Sequence, residues 1–211
     1  REDFVSHGLS DECFVRGEVP MTKEEVRAVA ISKLRLKKNA VVYDIGSGTG
    51  SVAVEIARLE QGIRVYAIEQ KDEAVALIRQ NAGRHDLSNL TVVQASAPDK
   101  MDELPEPTHV FIGGSDGRLR EILEALKRRE NAVRVVMTAV SLETVSEITQ
   151  LIGTSENYAR VRPAEAEQVE QSKWFEGAEI VCVQVSRAGK IGRHHLMQAQ
   201  NPVYIISFNM T

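Results

Sequence analysis

The sequence predicts an α/β fold of the Rossmann-like kind, a mostly parallel seven-stranded sheet closed by a C-terminal antiparallel hairpin. Three features point to it. Short apolar runs rich in β-branched residues recur at 40–45, 64–68, 90–94, 108–112 and 133–138. The intervals between them, near 50–60, 71–83, 117–129 and 141–152, carry helical apolar spacing, and regular strand–helix alternation favours a parallel sheet covered on both faces. A glycine-rich turn, Asp44-Ile45-Gly46-Ser47-Gly48-Thr49-Gly50, joins the first run to its helix.

Taken in order, residues 1–21 read as irregular. Thr22 opens a helix, with Glu25 three residues on completing a capping box and Val26, Val29 and Leu34 forming its inner side. Val41, Val42 and Ile45 make a short buried strand, and Val52, Val54, Ile56 and Ala57 the apolar side of the helix after the turn. The second strand, Arg64-Val65-Tyr66-Ala67-Ile68, ends in Glu69, where α/β nucleotide folds grip a ribose diol. Ala97-Pro98 follows the third strand and Gly113-Gly114-Ser115 the fourth, with Asp116 near the N-cap of the next helix. Residues 153–177, including Glu165, Glu167, Glu170 and Trp174, read as a polar insertion. Ile180–Val185 and Val203–Ile206 then close the sheet as a hairpin, so that 1–211 form one domain.

Composition excludes several classes. A net charge of −4 offers no basic excess for nucleic acid. No apolar run approaches the roughly 18 residues of a membrane helix. The start, Arg1-Glu2-Asp3, is no signal peptide, and the chain begins without Met, as one cut from a longer polypeptide would. The two cysteines, Cys13 and Cys182, form no metal or redox motif, which favours a reduced, cytoplasmic setting. His194-His195 is not expected to hold a metal, because adjacent side chains rarely face one ion.

The turn also distinguishes between cofactors. Glycines at a strand-to-helix turn let backbone N–H groups approach a ligand. A dinucleotide fingerprint needs a small residue at the third position of G-x-G-x-x-G, but Ser51 stands there and Gly50 comes one place early. An acid two residues before G-x-G-x-G is instead the pattern of S-adenosylmethionine (SAM) methyltransferases. SAM has no pyrophosphate; it carries a sulfonium cation, which an acid such as Asp44 suits.

With Val19-Pro20-Met21-Thr22-Lys23-Glu24-Glu25-Val26-Arg27, Ala97-Pro98, Val110-Phe111-Ile112-Gly113-Gly114-Ser115-Asp116-Gly117 and Asn201-Pro202-Val203, the chain resembles the C-15-methylating, decarboxylating methyltransferases of cobalamin biosynthesis. That family includes the C-terminal part of precorrin-6Y C(5,15)-methyltransferase. The resemblance covers roughly residues 9–152 and 178–208. It implies methyl transfer from SAM to a meso carbon of a tetrapyrrole, with loss of the ring C acetate as carbon dioxide and no covalent nucleophile from the enzyme. No catalytic side chain is assigned.

For the cofactor the resemblance implies contacts from Thr22, Gly46, Ser47, Gly48, Thr49, Gly50, Glu69 and Ala97. For the tetrapyrrole it implies Gly113, Gly114 and Ser115, with basic partners for its carboxylates among Arg118, Arg193 and His194; Arg187, Lys190 and His195 are further candidates. It also implies a homotetramer and a C-5 methyltransferase, fused or separate. His109, where the family usually has Asp before the fourth strand, and Lys127–Ala132, in place of a glycine-rich turn, depart from the pattern. The rivals are a SAM methyltransferase for protein or RNA and, from another class, a nicotinamide-dependent oxidoreductase or nucleotide-binding module.

Overall fold

The computed structural model describes residues 4–153 and 175–211. Its strands are β1 (Val41–Ile45), β2 (Arg64–Glu69), β3 (Leu90–Gln94), β4 (His109–Ile112), β5 (Val133–Ala139), β6 (Glu176–Val183), β7 (Ser186–Ile191), β8 (His194–Ala199) and β9 (Val203–Met210). Its helices are α1 (Glu24–Leu34), α2 (Ser51–Leu59), α3 (Asp72–Arg84), α4 (Leu119–Lys127) and α5 (Leu142–Gly153). Seven strands form one sheet in the order β3-β2-β1-β4-β5-β9-β6. The first five are parallel, and β9 runs antiparallel between β5 and β6.

Period-two alternation divides the core between the two sheet faces. Val42, Val65 and Val136 point towards α1 and α2, meeting Ala30, Leu34, Val52 and Ile56. Tyr43, Val110 and Val135 point the other way, meeting Ile122 and Leu126 of α4 and Ile148 and Ile152 of α5. Every residue of β1 and β4 is buried, as expected for strands at the centre of a parallel sheet covered on both sides.

The N-terminal segment differs from expectation at one point. Thr22 does not cap α1: the N-cap is Lys23, with no side-chain cap hydrogen bond. A 3-10 turn at Asp11–Cys13 instead brings Asp11 to the helix start, where Oδ1 accepts the Glu24 N–H at 3.0 Å. A full carboxylate gains more from the helix dipole than a hydroxyl does. Glu25, expected to reach back to Thr22, is held instead by Arg187, with Nε–Oε1 at 3.0 Å and Nη2–Oε2 at 2.8 Å.

Residues 4–23 are anchored by buried polar side chains. Arg27, fully buried, donates from Nε to Glu55 Oε1 at 2.5 Å and from Nη1 to the Thr22 carbonyl at 2.6 Å. It also bonds the Leu9 carbonyl and Asp11 Oδ1. Asn81 of α3 takes the Val15 N–H and donates to the carbonyls of Val15 and Thr49, each at 2.8 Å. The segment therefore runs as a strap over α1, α2 and α3, and its last residues, Val19–Lys23, reach the carboxyl ends of the strands.

Three further differences concern expected boundaries. The chain between β6 and β9 is no loop: β7 and β8 pair as a separate two-stranded sheet, Ser186 opposite Ala199 and Ile191 opposite His194. His109, set before the fourth strand by the family pattern although inside the 108–112 run, is the first residue of β4, buried with Nδ1 2.8 Å from Thr108 Oγ1. Asp116 does not cap α4, whose N-cap is Arg118. Apart from its ends at Gly153 and 175–177, the expected insertion at 153–177, with Glu165, Glu167, Glu170 and Trp174, lies outside the described residues. Among those residues no helix is long and apolar enough to cross a membrane.

Candidate functional site

Strand order reverses between β1 and β4, and ligands of open α/β sheets bind at such a switch point, beyond the strands' carboxyl ends. A cavity of about 650 Å³ lies there. One wall comes from the β1, β2 and β3 side: Gly46, Ser47, Gly48, Glu69 and Ala97. The other comes from β4, β5 and the approach to β9: Gly113, Gly114, Ser115, Thr138, Val140 and Asn201. The strap residues Val19 to Lys23 run along its edge, so Thr22 faces the cavity despite not capping its helix.

Two turns make the floor. Gly46 has φ +65°, and a Cβ built there meets the Gly114 carbonyl oxygen at 2.4 Å and its nitrogen at 2.7 Å. Only glycine lets the β1 and β4 turns come this close. A Cβ built at Gly114 has nothing within 4 Å, so that side of the β4 turn is open space.

The turn's donors are engaged elsewhere, contrary to the expectation that they face a ligand. The N–H groups of Gly46 and Ser47 bond the Ile68 carbonyl at 3.0 and 3.3 Å, and that of Gly50 bonds the Ser47 carbonyl at 2.9 Å. The Gly48 N–H donates to Glu69 Oε2 at 3.0 Å. Glu69 Oε1 accepts the N–H groups of Gln70 and Lys71 at 2.9 and 3.0 Å. Three of the roughly four acceptor positions on this carboxylate are thus taken, leaving Oε2 able to accept one more hydrogen bond.

Asp44 is also placed otherwise than expected. It is 1% exposed and lies behind the turn, accepting the Ser47 hydroxyl at 2.6 Å and the Ala53 N–H at 3.1 Å, both on Oδ2. Oδ1 is buried without a partner. Burial pushes its carboxyl up to about 7, so near neutral pH it is only partly ionised and makes a poor fixed counter-charge for a cation. Its role is to tie the turn to the first turn of α2.

Thr49 and Gly50, though part of the motif, do not line the cavity. Thr49 is 1% exposed, and Gly50 is the N-cap of α2, packed on Ile78. Arg118 lies outside the lining too, bonded to Glu121 at 2.7 Å, Asp99 at 3.2 Å and the Ser96 carbonyl at 3.2 Å. It braces the turn carrying Ala97 rather than reaching inward.

Arg193 and His194 stand at the far end of the β7–β8 hairpin, whose base residues Val185 and Gln200 line the cavity. Six residues per strand put the tip about 20 Å from that base. Val140, Gln200 and Asn201, by contrast, had no role assigned from sequence. Their signal was position, since each follows or precedes a strand at its cavity end. Among the described residues no group of three His, Cys, Asp or Glu could hold a metal ion.

Comparison with known proteins identifies the family and the fold. A family model described as a precorrin methyltransferase domain matches residues 12–210. A probable cobalt-precorrin-6B C(15)-methyltransferase (decarboxylating) of Pyrobaculum calidifontis is 37% identical over 207 residues, 97% of this chain and 96% of that protein. The solved precorrin-6Y C5,15-methyltransferase of Geobacter metallireducens is 33% identical, with a TM-score of 0.81 over 97% of each chain. A precorrin 8W decarboxylase structure from Methanobacterium thermoautotrophicum, 29% identical, aligns with a TM-score of 0.76 over 95% of this chain and 98% of that one.

Proposed function

The chain belongs to the precorrin methyltransferase family, and from that premise we propose that it methylates C-15 of a precorrin with SAM, removing the ring C acetate as carbon dioxide. The observation that carries the cofactor reading is that four N–H groups of the β1–α2 turn are bonded within the fold. Because the N–H groups of Gly46, Ser47, Gly48 and Gly50 are all bonded internally, the turn presents glycine backbone and the Glu69 carboxylate instead of an anion-binding nest. None of these four donors is left for a pyrophosphate, which disfavours a dinucleotide. SAM, with a sulfonium, an ammonium and a single carboxylate, places a smaller demand on backbone donors than a pyrophosphate does.

In this reading Gly46, Ser47 and Gly48 lie against the cofactor, Glu69 Oε2 accepts a ribose hydroxyl, and Ala97 and Thr22 bound it at either end. Bound SAM supplies an electrophilic methyl group. The chain's own task is to fix the acceptor carbon in line with it, an entropic advantage worth several kcal/mol, and to keep water out. Gly113, Gly114 and Ser115 border the place where the two meet. The ionisable side chains lining the cavity are Lys23, Glu69, Lys71 and Asp116. Glu69 is occupied as described and Asp116 is bonded by Gln70; the electron pair of the broken C–C bond passes into the conjugated macrocycle, and the remaining methylene takes up a proton to become a methyl group. The exposed apolar side chains Ile191, Leu196 and Met197 on the hairpin support self-association, in keeping with the homotetramer that the resemblance implies.

The direct test is turnover with SAM and the tetrapyrrole precursor, cobalt-free and cobalt-bound, read by mass spectrometry. The expected product is heavier by one CH₂ and lighter by one CO₂. SAM binding with neither mass change rules out this acceptor. For the cofactor site, Glu69→Ala should weaken SAM binding by about 1–3 kcal/mol, since one charged hydrogen bond and the tether on Gly48 are lost. Unchanged affinity by calorimetry removes Glu69 from the site.

A further inference from the structure

Two large apolar side chains beside the cavity are left bare. Val140, which lines it, is 60% exposed and Leu142 is 76% exposed. They flank Ser141, between the end of β5 and the start of α5. Their position is fixed by the helix cap: the Thr144 N–H donates to Ser141 Oγ at 3.2 Å, Ser141 Oγ lies 2.9 Å from Thr144 Oγ1, and the Val145 N–H bonds the Ser141 carbonyl at 3.1 Å. With Ser141 tied to α5 in this way, the two bare side chains stand on an anchored stretch of backbone, a shelf beside the cavity.

The shelf continues the β4–β5 wall, where Gly114 leaves open space. A cavity of about 650 Å³ that takes a cofactor of SAM's size retains too little room for a whole tetrapyrrole. Most of the macrocycle must therefore lie outside, on the rim next to the methyl donor. A flat conjugated ring with an apolar face and charged edges requires an apolar support there, with its carboxylates turned to solvent.

Resting on the function proposed above, we infer that Val140 and Leu142 are the specificity-determining shelf on which the face of the tetrapyrrole docks. Such contacts are made equally before and during methyl transfer, so their loss appears in KM and leaves kcat nearly unchanged. Exposed side chains contribute little to folding, so their replacement leaves stability intact.

The experiment is steady-state kinetics on Leu142→Glu and the double variant Val140→Asp/Leu142→Glu, with Leu142→Met as the conservative control. SAM affinity by calorimetry, melting temperature and molar mass by light scattering are measured alongside. The expected result is a tetrapyrrole KM raised about tenfold or more, kcat within about twofold and unchanged molar mass, with SAM affinity unchanged in Leu142→Glu and wild-type kinetics for Leu142→Met. Turnover by the wild type with the same KM in the acidic variants overturns the shelf alone. A change in molar mass assigns the two residues to a subunit contact and overturns it as well. Failure of the wild type to act on the tetrapyrrole overturns the functional reading, and the shelf with it.

Discussion

Replacing Arg27 by Met should lower the stability of the fold by about 3–5 kcal/mol, because it leaves a buried carboxylate without its partner. Arg27 and Glu55 are both fully buried, with Nε and Oε1 2.5 Å apart. The other oxygen of Glu55 accepts the Gly8 N–H at 2.5 Å, so the carboxylate cannot turn to water without tearing the strap away. For a chain of this length the loss corresponds to a fall in melting temperature of roughly 6–20 °C. The double variant Arg27→Met/Glu55→Leu should recover part of it, since the unpaired charge is then gone while the Gly8 N–H loses its acceptor. SAM affinity distinguishes two contributions. The Thr22 carbonyl and the Leu9 carbonyl remain without their donor in both variants, so the strap stays loose and the cofactor stays weakly bound even where stability returns. A single variant as stable as the wild type refutes the account of this network.

Gly46→Ala should be the most damaging single change at the site. The added methyl lies 2.4 Å from the Gly114 carbonyl oxygen and 2.8 Å from its Cα. These are backbone atoms at the end of a central strand and cannot swing aside. Restoring ordinary contact means parting the two turns by about 1 Å, and the φ of +65° adds roughly 1–2 kcal/mol of strain for any residue with a Cβ. A displacement of that size between cofactor and acceptor costs on the order of a hundredfold in rate, and SAM affinity should fall with it. Gly114→Ala is the control: nothing lies within 4 Å of its Cβ, so its melting temperature should match the wild type. If Gly46→Ala binds SAM with wild-type affinity, the close approach of the turns is not what shapes the cleft.

Both variants concern residues whose importance the sequence shows unequally. Gly46 stands in a motif legible from spacing alone. Arg27 stands at the end of the Val19–Arg27 segment, yet nothing in its neighbours reveals that it is buried, because its partners Leu9, Asp11 and Glu55 are distant in the chain. The Thr22 capping box failed for the same reason. T-x-x-E is a local signal, and Asp11 and Arg187, brought in from elsewhere, displaced both of its halves.

The sequence by itself determined the five parallel strands, the helices between them, the glycine turn and Glu69, since period-two and period-3.6 patterns and glycine spacing are written in neighbouring residues. It also carried the family, through short segments that resemble known ones. Only the tertiary structure decided that the turn's N–H groups face inward, that Asp44 lies behind it, and that Arg193 and His194 are carried away from the cavity on a hairpin. It alone decided, too, that Val140 and Leu142 are bare. Each of these depends on which distant groups meet across the fold, and burial and hydrogen-bond partnership are properties of that meeting and of no single stretch of chain.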